Sequence, residues 1–148
     1  MNIKNILTKT TMDNKLLKDK KILIIEDEVD ILSSLKILFE AEGAKIFQSE
    51  YASIAVKIAE KEIPDLCIFD VMLPDESGIQ LYVEFKNHPY LNNIPIVFVT
   101  GVNTYELGNS LSAEKISEMY QVPPPEGFIE KPFNPDELLD IVYNIFHS

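Results

Sequence analysis

The stretch Leu66-Cys67-Ile68-Phe69-Asp70-Val71-Met72-Leu73-Pro74 constrains this chain more than any other. An apolar run ends abruptly on one carboxylate, and Pro74 with Gly78 then breaks the chain. A short continuous apolar run bounded by turn residues reads as a strand buried on both faces. A carboxylate at the C-terminal end of such a strand lies where open α/β sheets place their chemistry. Three other runs end in the same way. Ile22-Leu23-Ile24-Ile25 runs into Glu26-Asp27-Glu28, and Ile96-Val97-Phe98-Val99 runs into Thr100-Gly101. The short run Gly127-Phe128-Ile129-Glu130 delivers Lys131 before Pro132. Four strand ends therefore offer Glu26, Asp27, Asp70, Thr100 and Lys131 to one pocket.

The segments between these runs have helical spacing. A first helix is predicted from about Val29 to Glu42, with Ile31, Leu32, Leu35, Leu38 and Phe39 on one face and Gly43 ending it. The run Ala44 to Gln48 is short and less apolar, which suits an edge strand. A second helix near Ser53 to Lys61 carries Ile54, Ala55, Ile58 and Ala59, and a third runs from about Gly78 to Asn87. Ile94 to Thr100 is apolar almost throughout and belongs in the centre of the sheet. Residues 101–126 are the least regular. Leu107, Leu111, Ile116, Met119 and Tyr120 suggest one broken helix or two short ones, and Pro123-Pro124-Pro125 forbids helix beyond them. The last helix has its start written clearly, with Asn134 as cap, Pro135 at the first position and Glu137 at the third. Leu138, Ile141, Val142, Ile145 and Phe146 form its apolar face.

Five strands alternating with five helices imply right-handed crossovers and a doubly wound, five-stranded parallel sheet covered on both faces. A length of 148 residues suits one such domain. Residues 1–18, rich in Asn, Lys and Thr, read as a flexible or weakly helical leader, within which Met12 offers an alternative start. The domain is then expected over 19–148.

The net charge of −11 argues against a generic nucleic-acid surface and against an anionic membrane surface. Most of that excess is explained by solvated helix faces. The single cysteine, Cys67, excludes an intrachain disulfide and a multi-cysteine metal site, and its apolar strand makes it a packed thiol. No apolar run is long enough to span a membrane, and the N-terminus has no continuous apolar region of the secretory kind. A cytoplasmic location is the default expectation.

Three carboxylates brought together in the mouth of a parallel sheet cannot all stay ionised without a counter-charge. A hard divalent cation supplies one, and Mg²⁺ suits a shallow site that keeps several waters. Asp27 and Asp70 are candidate direct ligands, Glu26 a ligand acting through water, and a main-chain carbonyl just after Asp70 a further donor. An Asp beside Mg²⁺ and a Lys is a nucleophile suited to phosphorus, because both cations neutralise charge on the phosphoryl oxygens. Lys131 as a point charge and the Thr100 hydroxyl would grip the phosphorylated form. Taken singly, each residue has a plainer reading. Glu26-Asp27-Glu28 could be an acidic turn capping the first helix, Asp70 could cap the next helix, Thr100 is an ordinary strand end, and Lys131-Pro132 could be a loop. Their joint placement at the ends of strands one, three, four and five carries the argument.

On these residues the chain resembles the receiver (response-regulator, CheY-like) domain of two-component phosphorelays, over roughly Asp19 to His147. The matching positions are Glu26-Asp27, Asp70 with Pro74 and Gly78 behind it, Thr100-Gly101, and Lys131-Pro132-Phe133. The resemblance implies a flavodoxin-like topology with Asp70 as phosphoacceptor, served by a histidine kinase or a histidine phosphotransfer protein. It implies that Glu26, Asp27, Asp70 and the carbonyl of Met72 organise Mg²⁺, that Lys131 pairs with the acyl phosphate, and that the Lys131–Pro132 peptide is cis. Thr100 and Phe128 would be the switch residues. They would relay the event to the surface of the fourth helix, fifth strand and fifth helix, where many receivers dimerise or bind a downstream protein. The chain departs from the family in three places. The segment from Thr100 to Lys131 is longer than usual, Phe128 lacks a hydroxyl, and Met72 and Val102 are apolar where side chains tune the access of hydrolytic water.

The expectation is a stand-alone phosphorylatable switch and not an enzyme, since the chain ends with the last helix and carries no DNA-binding domain. A phosphohydrolase with an aspartyl nucleophile is the rival from another class, but Met72 stands where such enzymes place a second Asp. A docking module that no longer signals through phosphorylation is a third reading. The intact Glu26-Asp27 pair, Asp70, Thr100 and Lys131 weigh against it.

Overall fold

The computed structural model describes residues 15–101 and 112–147. Strands β1 (Lys21–Ile25), β2 (Lys45–Ser49), β3 (Leu66–Phe69), β4 (Ile96–Thr100) and β5 (Gly127–Glu130) form one sheet in the order β2-β1-β3-β4-β5, every pairing parallel. The helices among the described residues are α1 (Val29–Ala41), α2 (Ala55–Glu62, entered through a 3₁₀ turn over Ala52–Ile54), α3 (Gly78–Lys86), α4 (Ala113–Tyr120) and α5 (Pro135–Phe146).

Side chains alternate across a strand, so each apolar run feeds two cores. Leu23, Ile25, Cys67, Phe69, Ile96 and Phe98 face one side, under Ala55 and Ala59 of α2, Ile79, Tyr82 and Phe85 of α3, and Ile116 of α4. Ile22, Ile24, Leu66, Ile68, Val97 and Val99 face the other, under Leu32, Leu35 and Phe39 of α1 and Leu138, Leu139 and Val142 of α5. This two-sided burial is why the runs read as continuous and not alternating. Cys67 is sealed within β3, paired in register with Ile96, and burial pushes its thiol up. The less apolar β2 lies at the sheet edge and β4 lies inside it, as their compositions imply.

Local signals fix the helix ends. Asn134 accepts hydrogen bonds from the amides of Asp136 and Glu137 at the start of α5, with Pro135 at its first position. Gly43 takes a φ of +91° just past α1. Within 101–126 the structure describes one helix, α4, ended by Gln121 in the left-handed region. Leu107, Leu111 and Val102 lie outside the described residues, as does the leader up to residue 14. The proline-rich approach to β5 is fastened to the body, because Tyr82 donates its hydroxyl to the Pro123 carbonyl at 2.5 Å and Ser117 donates to Val122 at 2.6 Å.

The folded body starts earlier than the sequence boundary at residue 19. Leu17 is 1% exposed and packs with the α1–α5 core, and its amide donates to the Glu42 carbonyl at 2.9 Å. Asp19 in turn donates to Gly43 at 3.2 Å. An isolated Leu16-Leu17 pair among lysines has no periodicity, so nothing local marks Leu17 as core.

Candidate functional site

The sheet ladder carries the site residues one step past the strands. Register pairs Ile25 with Phe69 and Thr100 with Glu130. The next amides remain hydrogen-bonded across the sheet, Glu26 to Ser49 at 3.0 Å, Asp70 to Ile25 at 3.0 Å and Lys131 to Thr100 at 2.9 Å. Each side chain therefore leaves a backbone that is already fixed. Behind Asp70 the chain turns back tightly. Met72 bridges Ser77, the Gly78 amide donates to the Val71 carbonyl at 2.8 Å, and Ser77 caps α3 through its hydroxyl. A Cβ on Gly78 would stand 1.9 Å from the Asp70 carbonyl oxygen, so only glycine lets α3 begin there. The Lys131–Pro132 peptide is cis.

Lys131 gathers the acidic groups. Its Nζ lies 2.6 Å from Glu26 Oε1, 2.9 Å from Asp70 Oδ2 and 3.2 Å from Glu28 Oε1. The other Asp70 oxygen, Oδ1, accepts the Met72 amide at 3.2 Å, and Glu26 Oε2 accepts the Glu28 amide at 3.2 Å. The Lys131, Glu26 and Asp70 side chains are nearly closed to solvent, at 9%, 2% and 3% exposure. Burial pushes the Glu26 carboxyl up to about 7. Lys131 pulls against that shift and the neighbouring Asp70 charge adds to it. For Lys131, burial opposes the charge, but contacts with Glu26 and Asp70 outweigh it and hold the ammonium above the usual lysine range.

Glu26, Asp27 and Asp70 each offer an oxygen, and those atoms lie within 4.8 Å of one another. Glu26 Oε1 is buried and touches the Lys131 ammonium as a charge contact without an aligned hydrogen bond. Asp27 is exposed at the rim. An under-bonded buried oxygen, a carboxyl raised by burial with the Asp70 charge beside it, and an all-oxygen donor set fit a small hard cation such as Mg²⁺. Lys131 alone does not balance the carboxylates around it.

The structure thus brings Glu26, Asp27, Asp70 and Lys131 into one cluster, as the sequence pattern predicts. Thr100 is 1% exposed at the end of β4 and joins through its carbonyl to Lys131. Phe128 stands apart from the charges. It pairs with Phe98 in register, and its partly buried ring lies 5.8 Å from the Phe98 ring, which in turn packs against Phe69 and Tyr82. Two contacts were not legible in the sequence. Glu28 occupies the cap position of α1 without capping it and reaches Lys131 instead. Asp75 holds the loop after Asp70 to the start of the 3₁₀ turn, accepting the amides of Ala52 at 3.0 Å and Ser53 at 2.9 Å. An acidic run beside a strand end was the only trace of the first, and the second left none.

A parallel sheet with an acidic triad and a lysine at the ends of β1, β3 and β5 defines a class, and comparison with known proteins agrees with it. Residues 22–143 match the response regulator receiver domain model, and the chain belongs to that family, the receiver domains of two-component systems. It is 32% identical over 123 residues to the uncharacterized transcriptional regulatory protein YbdJ of Bacillus subtilis, covering 83% of this chain and 49% of that protein. It is 30% identical over 122 residues to protein Rrf1 of Nitratidesulfovibrio vulgaris, covering 82% and 79%. Among solved structures, a CheY-like response regulator receiver domain protein from Methanospirillum hungatei superposes with a TM-score of 0.72 at 28% identity, covering 88% of this chain and 95% of that one. The chain spans about half the length of YbdJ and of the aerobic respiration control protein ArcA of Escherichia coli, at 49% and 44%. No helix among the described residues is long and apolar enough to cross a membrane.

Proposed function

We propose that this receiver domain accepts a phosphoryl group on Asp70 from a histidine kinase or a histidine phosphotransfer protein, and that it acts as a switch with no substrate of its own to turn over. The observation that carries the reading is the placement of Lys131 Nζ 2.9 Å from Asp70 and 2.6 Å from Glu26 in one mouth. A carboxylate oxygen of Asp70 attacks phosphorus, an O–P bond forms, and the P–N bond to the donor imidazole breaks with its electron pair passing to nitrogen. Lys131 neutralises charge on the phosphoryl oxygens as they gather at Asp70. The Met72 amide, already on Asp70 Oδ1, fixes the orientation of the carboxylate. Glu26, Asp27, Asp70 and the Met72 carbonyl would hold Mg²⁺, which supplies positive charge to both the carboxylates and the phosphoryl group. Thr100 and Phe128 would carry the change outward. Phe128 has no hydroxyl, so its part is packing against Phe98.

A candidate surface for the phosphoryl donor lies between α1 and the segment after Lys131. Ile31, Ile37 and Leu38 of α1 face Phe133 and Pro135 across a mostly apolar groove of about 470 Å³. Ile31 and Phe133 follow Asp27 and Lys131 by a few residues, which supports this groove as the docking place of the phosphohistidine donor. The α4–β5–α5 surface is the corresponding candidate for a downstream protein or a second copy, and a cytoplasmic location accords with a kinase partner.

The test is intact-mass analysis after incubation with a small phosphodonor and Mg²⁺. The parent is expected to gain one acyl-labile phosphoryl group in a Mg²⁺-dependent way, and Asp70→Asn to gain none. Equal gain in Asp70→Asn would sink the assignment.

A further inference from the structure

We infer that Glu28 is a positioning residue that competes with the incoming phosphoryl group for Lys131 and so restrains phosphorylation of the resting domain. The inference rests on the proposed role of Asp70 and extends it to a residue outside the acidic triad.

A lysine ammonium has three donors and no more. Among the described residues, Nζ donates hydrogen bonds to Asp70 at 2.9 Å and to Glu28 at 3.2 Å, while Glu26 Oε1 crowds a further side at 2.6 Å as a charge contact. The Glu26 and Asp70 side chains are only 2% and 3% exposed, whereas the Glu28 side chain is 61% exposed. Glu26 and Asp70 are thus the buried partners of the ammonium and Glu28 the exposed one, the partner that a phosphoryl oxygen coming from solvent would displace. Glu28 is also not one of the three residues whose oxygens converge for a cation.

Its backbone supports the same conclusion. Glu28 is the N-cap residue of α1, with extended φ and ψ, and its side chain makes no cap hydrogen bond. A side chain at that position ordinarily turns back to the first free amides of the helix. Here the carboxylate reaches across to a lysine 103 residues away in sequence. A largely exposed ion pair is weak and easily exchanged, which suits a group that must give way when phosphate arrives. Its negative charge at the rim also disfavours the approach of an anionic donor, so both effects act in the same direction.

The test compares the parent, Glu28→Gln and Glu28→Asp in two measurements. One is the initial rate of Asp70 phosphorylation by acetyl phosphate with Mg²⁺, read by intact mass. The other is the rate of Lys131 acylation by an amine reagent without Mg²⁺, read by peptide mass with exposed Lys36 as internal reference. Removing one exposed partner should raise both the phosphorylation rate and Lys131 labelling by about two- to five-fold in Glu28→Gln. Lys36 labelling should not change, and Glu28→Asp, shorter but charged, should fall between. A faster phosphorylation rate with unchanged Lys131 labelling would reduce Glu28 to a rim charge and overturn the competition. An unchanged phosphorylation rate overturns it whatever the labelling shows. If the parent itself takes up no phosphoryl group, the reading of Asp70 fails and the inference falls with it, an outcome distinct from equal rates in parent and variant.

Discussion

Gly78 ties Asp70 to the helix behind it through the backbone itself. The position of its missing Cβ, 1.9 Å from the Asp70 carbonyl oxygen, is backbone against backbone, so no rotamer change relieves it. Gly78→Ala must push α3 outward or rotate the Asp70 peptide. We expect a loss of about 2–3 kcal/mol or more in urea unfolding, and slower phosphorylation of whatever fraction remains folded. A variant with parental stability would show that the turn yields freely. Glu28 shows the complementary case at this scale, because its partner is chosen by tertiary proximity and not by sequence neighbours. That explains why its role was hidden while Asp70 and Lys131 stood out at the ends of apolar runs.

At the scale of the element, the helix ends differ in quality. α5 begins on a cap, a proline and two acidic residues, all of them local, and its start is legible from Asn134, Pro135 and Glu137. α2 ends otherwise. Ile63 takes φ +45° and ψ +70°, the left-handed region, where a β-branched side chain crowds its own backbone. The residue is half exposed, so little packing is lost on its removal. Ile63→Gly should therefore stabilise the domain by about 0.5–1 kcal/mol, the relief of strain exceeding glycine's entropic cost. A shift of the urea midpoint to higher concentration checks it; a shift to lower concentration would mean that the Ile63 side chain packs better than its exposure implies. The 3₁₀ entry to α2 and the grip of Asp75 on it went unread because the partners are 22 and 23 residues apart, with no periodic signal linking them.

At the scale of the molecule, the edge position of β2 and the two-faced cores follow from the pattern of apolar runs, while the full strand order comes only with the resemblance to receiver domains. The N-terminal limit of the body follows from neither. Leu17 fills a place beside α1 that only the folded chain creates. Leu17→Ala is expected to cost about 2–4 kcal/mol in chemical denaturation. A change below about 0.5 kcal/mol, the range of surface substitutions, would return the residue to the leader.

The sealed thiol of Cys67 has a use that its packing does not suggest. It lies in β3, the strand that ends on Asp70, between β1 and β4, and it has no exposed surface. A thiol reagent reaches it only when that strand opens. Because it is the only cysteine in the chain, its alkylation is a clock for the sheet, ticking at the frequency with which the scaffold under the site comes apart. A ligand that binds only the closed mouth would slow that clock without touching it.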